Sequence, residues 1–132
     1  MFSQIFVNLP IENLKRSVAF FSELGFTFNP QFTDESSTCM IFSEHIFVML
    51  VEKDKFATFT PKKIAEHDTV EALFSFSCTS AEEVRRISEK AFDLGATRVN
   101  DPQDMGFMFS WGFEDLDGHA WDLFWMNPEH VQ

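Results

Sequence analysis

Between residues 113 and 125 the chain reads FEDLDGHAWDLFW, which sets Glu114, Asp115, Asp117, His119 and Asp122 among bulky aromatic side chains. Carboxylates and an imidazole at such close spacing can hold a divalent ion, pass a proton, or simply close a hairpin. Asp115-Leu116-Asp117-Gly118 is a turn signature, and the segment lacks the further oxygen donors and terminal Glu of a calcium loop, so Asp115 and Asp117 read as turn residues. His119 precedes Asp122 by three positions, which on a strand puts the two on opposite faces, so His119 is expected to be packed or exposed and not paired with Asp122. Asp122 shares its face with Ala120 and Phe124. If the hairpin closes with Glu114 opposite His119, Trp111 falls opposite Asp122 and Phe109 opposite Phe124, and the carboxylate sits among rings. Such burial raises an acid's pKa and suits Asp122 to general acid or base work, or to anchoring a ligand's amine or hydroxyl. The plain alternative is a structural carboxylate bonded to backbone or to Asn8.

Composition narrows what that carboxylate could serve. The chain has 132 residues, enough for one domain with a real core, and it is 45% hydrophobic with 18 Phe and no Tyr. Formal net charge is −11, from 21 acidic and 10 basic side chains, and no stretch gathers Lys or Arg into a stripe. Phosphate contacts come from cations, so nucleic acid and anionic membrane surfaces are not expected partners. The N-terminal MFSQIFVNLP lacks the basic and long apolar regions of a signal peptide, which points to a cytoplasmic protein. Cys39 and Cys78 lie in separate apolar runs without a CxxC spacing and are expected as buried free thiols. His45 at a strand boundary, His67 in a connector and His130 in the tail have no spacing that ties them to Asp122. No glycine-rich phosphate loop and no Gly-x-Ser-x-Gly elbow is present.

The elements that must position Asp122 come in two matching sets. Residues 3–9 alternate as a strand. Leu14, Val18, Phe21 and Leu24 mark one face of a helix capped by Asn13 and stopped at Gly25, and FTFNPQF, STCMIFS and IFVMLVE read as three strands. Pro30 places the first of these at an edge or bend. Residues 56–70 form a connector in which Thr60, Pro61 and Lys62 to His67 suggest a short helix. ALFSFSC is then a strand, Ser80 and Glu83 form a capping-box pattern ahead of Val84, Ile87, Ala91 and Leu94, Gly95 stops the helix, and TRVN, FMFSWGF and HAWDLFW complete the set. The expected fold is therefore α+β: a single domain over 1–132 made of two βαβββ repeats, about 1–55 and 71–132, whose strands form a curved, cup-like mixed sheet with helices outside.

Two of these stretches carry a family resemblance. FVNLPIENLKRSVAFFSELGF at residues 6–26 is similar to the first strand, helix start and Leu-Gly-Phe stop of the glyoxalase/bleomycin-resistance/extradiol-dioxygenase proteins, the vicinal oxygen chelate superfamily. FEDLDGHAWDLFW resembles their closing Asp-Pro-Asp-Gly-x-x-x-Glu hairpin. In metal-dependent members of that superfamily, His, Gln or Glu from four strands, two in each half, bind one divalent ion. The corresponding positions here are Phe6, Met49, Leu73 and Asp122, one ligand type out of four. Asn8 and Ser75, two positions along the same strand faces, are poor replacements for a hard or borderline ion. No metal or other cofactor is therefore expected.

The resemblance directs the Asp122 face toward a pocket. Phe6, Met49, Leu73 and Trp111 would wall it, with Asn8, Ser75 and Asp122 as sparse polar points, an arrangement that favours a flat or apolar small molecule. The leading expectation is a small-molecule-binding protein of this fold whose metal site has decayed, similar to the antibiotic-sequestering branch. A lactoylglutathione-lyase-like enzyme or extradiol-type dioxygenase with a divalent metal, held by Gln4, Asn8, Glu44, Glu52 or His119, is the alternative, and a non-catalytic structural or interaction module is the second. The resemblance also implies a homodimer.

Overall fold

The computed structural model describes residues 1–129, so His130 lies outside the described residues. The chain divides into two compact units, Met1–Ile64 and Ala65–Gln132, a boundary that falls inside the segment expected as a connector.

In the first unit, strand β1 (Ile5–Ile11) leads into helix α1 (Leu14–Glu23), then β2 (Thr27–Asn29), β3 (Ser37–Ile41) and β4 (Ile46–Glu52). The strands order β1-β4-β3-β2, with β1 parallel to β4 and the other pairs antiparallel. Asn13 caps α1 by accepting a hydrogen bond from the Arg16 amide at 2.9 Å, and Glu52 at the end of β4 accepts from the Leu14 amide at 2.9 Å, so two of the helix's orphan donors are satisfied. Leu9, Ile11, Met40, Val48 and Leu50 from one face of the sheet are buried, as are Leu14, Phe20, Phe21 and Leu24 of α1. The alternation of β1 and the helical spacing of α1 thus each supply one apolar surface of this core. Pro30, lacking an amide hydrogen, ends β2 and opens a single 3-10 turn, Pro30–Phe32.

The second unit repeats the order: β5 (Leu73–Ser77), α3 (Ala81–Asp93), β6 (Gln103–Asp104), β7 (Met108–Glu114) and β8 (Ala120–Met126), paired β5-β8-β7-β6 with β5 parallel to β8. Ser80 accepts from the Glu83 amide at 3.1 Å, and the Glu83 carboxylate reaches back to the Thr79 amide at 2.9 Å, one residue before the usual capping-box partner. Val84, Ser88 and Ala91 of α3 are buried, together with Phe109, Trp111, Phe113, Trp121 and Leu123 from one face of the sheet. The fold is therefore α+β with two βαβββ modules, as the repeat implied.

Two local expectations are corrected. Lys62 to His67 form no helix; a four-residue helix α2, Lys53–Phe56, follows β4 instead. The 62–67 segment has no apolar stripe to bury, so nothing offsets the cost of nucleating a helix there. TRVN forms no strand either: Thr97 makes an isolated bridge with Glu114, and the outer strand is β6, beyond Pro102. Among the described residues no helix is long and apolar enough to cross a membrane. Cys39 and Cys78 are free thiols, the first buried and the second partly so, with Cys78 pushed up to about 11 mainly by burial.

Candidate functional site

The turn between β7 and β8 decides which side chains stand beside Asp122. The Asp115 carboxylate accepts from the amides of Asp117 (2.9 Å) and His119 (3.0 Å) and from the Trp121 indole Nε1 (2.8 Å). The Asp115 amide donates to the His119 carbonyl at 2.9 Å, so Asp115 and His119 form the closing pair. Glu114 then faces Ala120 and Gly112 faces Asp122. This is one residue away from the expected register, and it corrects the assignment of Trp111. Trp111 pairs with Leu123 and is buried on the opposite face, where its ring meets Phe92 of α3 edge-on at 5.2 Å and its Nε1 donates to the Asn100 carbonyl at 3.0 Å. The expectation that Asp122 sits among aromatic rings falls with it.

Asp122 itself keeps the expected face. In the register of the sheet it lies between Ser75 of β5 and Gly112 of β7, and its carboxylate accepts a 3.5 Å hydrogen bond from the Ser75 hydroxyl. Partial removal from water pushes its pKa above the ordinary carboxylate value, and the Ser75 bond opposes that shift without cancelling it.

Around this row the second unit opens a cleft of about 390 Å³. Gly112, Phe113 and Glu114 of β7 with Ala120, Trp121 and Asp122 of β8 form its floor, Ser75 and Asn100 add neutral polar groups, and Val70, Leu73 and Val99 supply apolar walls. Those three are 66%, 73% and 60% exposed, so the mouth presents aliphatic surface to water. Gly112 lets β7 lie close against β8: a Cβ there would lie 2.2 Å from the Trp121 carbonyl oxygen. Sequence spacing assigns no site role to Gly112, Asn100, Glu114, Val70 or Val99. A glycine inside a β-strand run was the available signal for the first; the others depend on loop paths.

The equivalent row in the first unit has the same geometry and different chemistry. Asn8 pairs with Met49 and Cys39 pairs with Met49, matching Ser75, Asp122 and Gly112 in turn. Phe6 stacks on its register partner Phe47, centroids 4.7 Å apart and planes 14° from parallel. Phe6, Asn8 and Met49 therefore share one face of the first sheet, and Leu73, Ser75 and Asp122 one face of the second.

His119 is buried on the face away from Asp122, and its Nδ1 lies 2.8 Å from Glu71 Oε1. Burial also raises Asp115, against the opposing influence of His119 and the donors that hold it. This constellation anchors the start of β5 and Trp121 to the turn. Among the described residues no group of three or more His, Cys, Asp or Glu side chains could hold a metal ion. Phe6, Met49 and Leu73 have no oxygen or nitrogen donor in their side chains, so the residues at the positions corresponding to the superfamily's ligand set do not fit a divalent ion.

Comparison with known proteins agrees with this architecture. Residues 4–43 match the family described as bleomycin resistance protein-like N-terminal. A hypothetical protein, SA1046 from S. aureus, superposes with a TM-score of 0.79 at 25% identity, covering 94% of each chain. A glyoxalase/bleomycin resistance protein/dioxygenase family enzyme from Burkholderia phytofirmans PsJN aligns with a TM-score of 0.75 at 14% identity, over 92% of this chain and 96% of its own. FosX, a fosfomycin resistance protein from Listeria monocytogenes, gives 0.71 at 20% identity over 98% of each chain. No curated protein matches the sequence significantly. The match over the first strand and helix covers residues 4–43, and over the whole chain the likeness to these structures is one of fold.

Proposed function

We propose that the protein binds a small, largely apolar or aromatic molecule in the cleft of its second unit, without the superfamily's usual metal. The observation that carries this reading is the cleft itself: an aliphatic mouth around a floor hollowed by Gly112 and Ala120, with Asp122 and Ser75 as fixed polar points. Exposed aliphatic surface of this kind gains free energy when an apolar solute covers it. Among the four positions corresponding to the metal ligands only Asp122 has a donor, which favours a role in holding an organic group over one in holding an ion. The resistance names of the matched N-terminal family and of FosX support a small organic molecule as the class of partner. The homodimer expected from the resemblance is part of this proposal, and sedimentation velocity tests it.

The testing experiment pairs elemental analysis with a ligand screen. Protein purified without chelator or His-tag is re-equilibrated with Zn, Ni, Mn and Fe(II) beside an Asp122→Ala control, then screened against aromatic fragments by thermal shift and by amide NMR at Ser75, Gly112 and Asp122. Fragment-induced shifts at those amides with no bound metal support the proposal. About one ion per chain, absent from the control, overturns it and directs assays to lyase and ring-cleavage chemistry.

A further inference from the structure

We infer that the occupant of this cleft carries a positive charge, an amine or quaternary ammonium group attached to an apolar body. The inference rests on the binding role proposed above and adds the ligand's charge. Asp122 and Glu114 both belong to the floor, and among the described residues no Lys, Arg or His lines the cleft. Their strand register sets them on the same sheet face, Asp122 opposite Gly112 and Glu114 two positions further along β7.

Other carboxylates of the chain have cations in place: Asp34 has Lys55 at 2.6 Å, Glu12 has Lys53 at 3.1 Å and Asp101 has Arg98 at 3.1 Å. With 21 acidic side chains and 10 basic ones many carboxylates must go without, and in open water that costs little. Asp122 differs because it lies in a cleft with an aliphatic mouth, its one polar side-chain contact is the long Ser75 bond, and it makes no ion pair among the described residues. A carboxylate without an ion-pair partner, set below an aliphatic rim, is complementary to an ammonium group on an apolar stem, and it repels an anion. Ser75 and Asn100 can orient further hydrogen bonds of the same group or of its neighbours.

The test uses matched triplets that change only the terminal charge: 2-phenylethylamine, 2-phenylethanol and 3-phenylpropionate, and tryptamine, tryptophol and indole-3-propionate. Binding is followed through the Ser75, Gly112 and Asp122 amides of the full chain. The amines are expected to bind at least about tenfold more tightly than the alcohols, with the carboxylates weakest. Asp122→Asn, which keeps the shape, should bring the amines down to the level of the alcohols, and Glu114→Gln should lower them by a smaller factor. Benzyltrimethylammonium, whose charge does not titrate, should lose affinity as pH falls through the titration of Asp122, the other titratable lining group being Glu114. Alcohols that bind as tightly as amines, or an Asp122→Asn protein that keeps the preference, would overturn the charge assignment and leave the cleft as an apolar binding site. Triplets that leave all three amides unmoved would overturn both.

Discussion

The two modules of this protein share a chain path and differ in what they place on it. Asn8, Met49 and Cys39 occupy the same register row of the first sheet that Ser75, Asp122 and Gly112 occupy in the second. In the first row Cys39 is fully buried, and Met49 and the stacked, partly exposed Phe6–Phe47 pair lie on the face around it. The second replaces Cys39 by a glycine, Met49 by a carboxylate and Phe47 by Ala120, and the outcome is a hollow with a charged floor. The strand pairing is the same in both rows, so a duplicated βαβββ unit can keep its topology while the side chains on one face change.

The largest effect should come from returning that volume. Gly112→Cys gives the second row the residue of the first, yet its Cβ would lie 2.2 Å from the Trp121 carbonyl oxygen, and backbone cannot yield as a side chain does. A loss of at least about 4 kcal/mol in urea unfolding, or failure to fold, is expected. A variant of near wild-type stability would show that the two rows are interchangeable and that the cleft is a minor accident of packing. Next in size is Asp115→Ala, which strips the acceptor from the Trp121 indole and from two turn amides and should cost about 2 to 4 kcal/mol. Shifts of the β7 and β8 amides in the same variant would report loss of the register that sets Gly112 against Asp122.

That register also marks the limit of what the sequence made legible. The repeat, both helix caps, both Leu-Gly stops and the face of Asp122 follow from periodicity and turn chemistry, which act over a few residues. The hairpin register depends on one side chain, Asp115, gathering three donors at once. Residues 113–125 are compatible with either closing pair until those hydrogen bonds are counted. A single-residue slip then moved Trp111 from the expected pocket wall to the helix-covered core. Glu71 and His119, 48 positions apart, and the walls Val70 and Val99 required the tertiary path of loops, for which no local spacing exists. The same applies to β6, a two-residue strand that sequence pattern could not distinguish from loop.

A smaller pair of substitutions tests how far the modules are alike. Gly25 and Gly95 end their helices at φ values of 104° and 103°, and in each case the next residue's amide donates back into the last turn, Phe26 to Phe21 and Ala96 to Ala91. Gly25→Ala and Gly95→Ala should each cost about 1 kcal/mol from the left-handed backbone alone. Nothing lies within 4 Å of a Cβ at Gly25, whereas one at Gly95 would meet Leu116 Cδ2 at 3.4 Å, so the second loss should be equal or slightly greater. A clear difference in the other direction would mean the two stops are built differently.

The least disruptive comparison is by titration. In the first unit Asp34 is held far below the ordinary carboxylate range, chiefly by its hydrogen bond to Lys55 and then by the Ser36 amide. In the second, burial moves Asp115 and Asp122 upward, while Glu83 at the start of α3 is lowered by the Thr79 amide. The signs differ accordingly. A lowered group stabilises the fold above its unfolded pKa and loses that contribution as pH falls through its folded value, so acid weakens what Asp34 and Glu83 supply. A raised carboxylate binds its proton more tightly when folded, so the contributions of Asp115 and Asp122 become more favourable as pH falls through their folded values. Side-chain carboxyl NMR should find Asp115 and Asp122 protonating above the usual carboxylate range on the way down, and Asp34 well below it. Asp122→Asn should change stability at neutral pH by less than about 1 kcal/mol and remove one of the high-lying titrations without moving that of Asp34. If Asp122 instead titrated at the ordinary carboxylate value, its surroundings would be as wet as open surface, and the contrast between an apolar first row and a second row that holds a carboxylate would lose its electrostatic half.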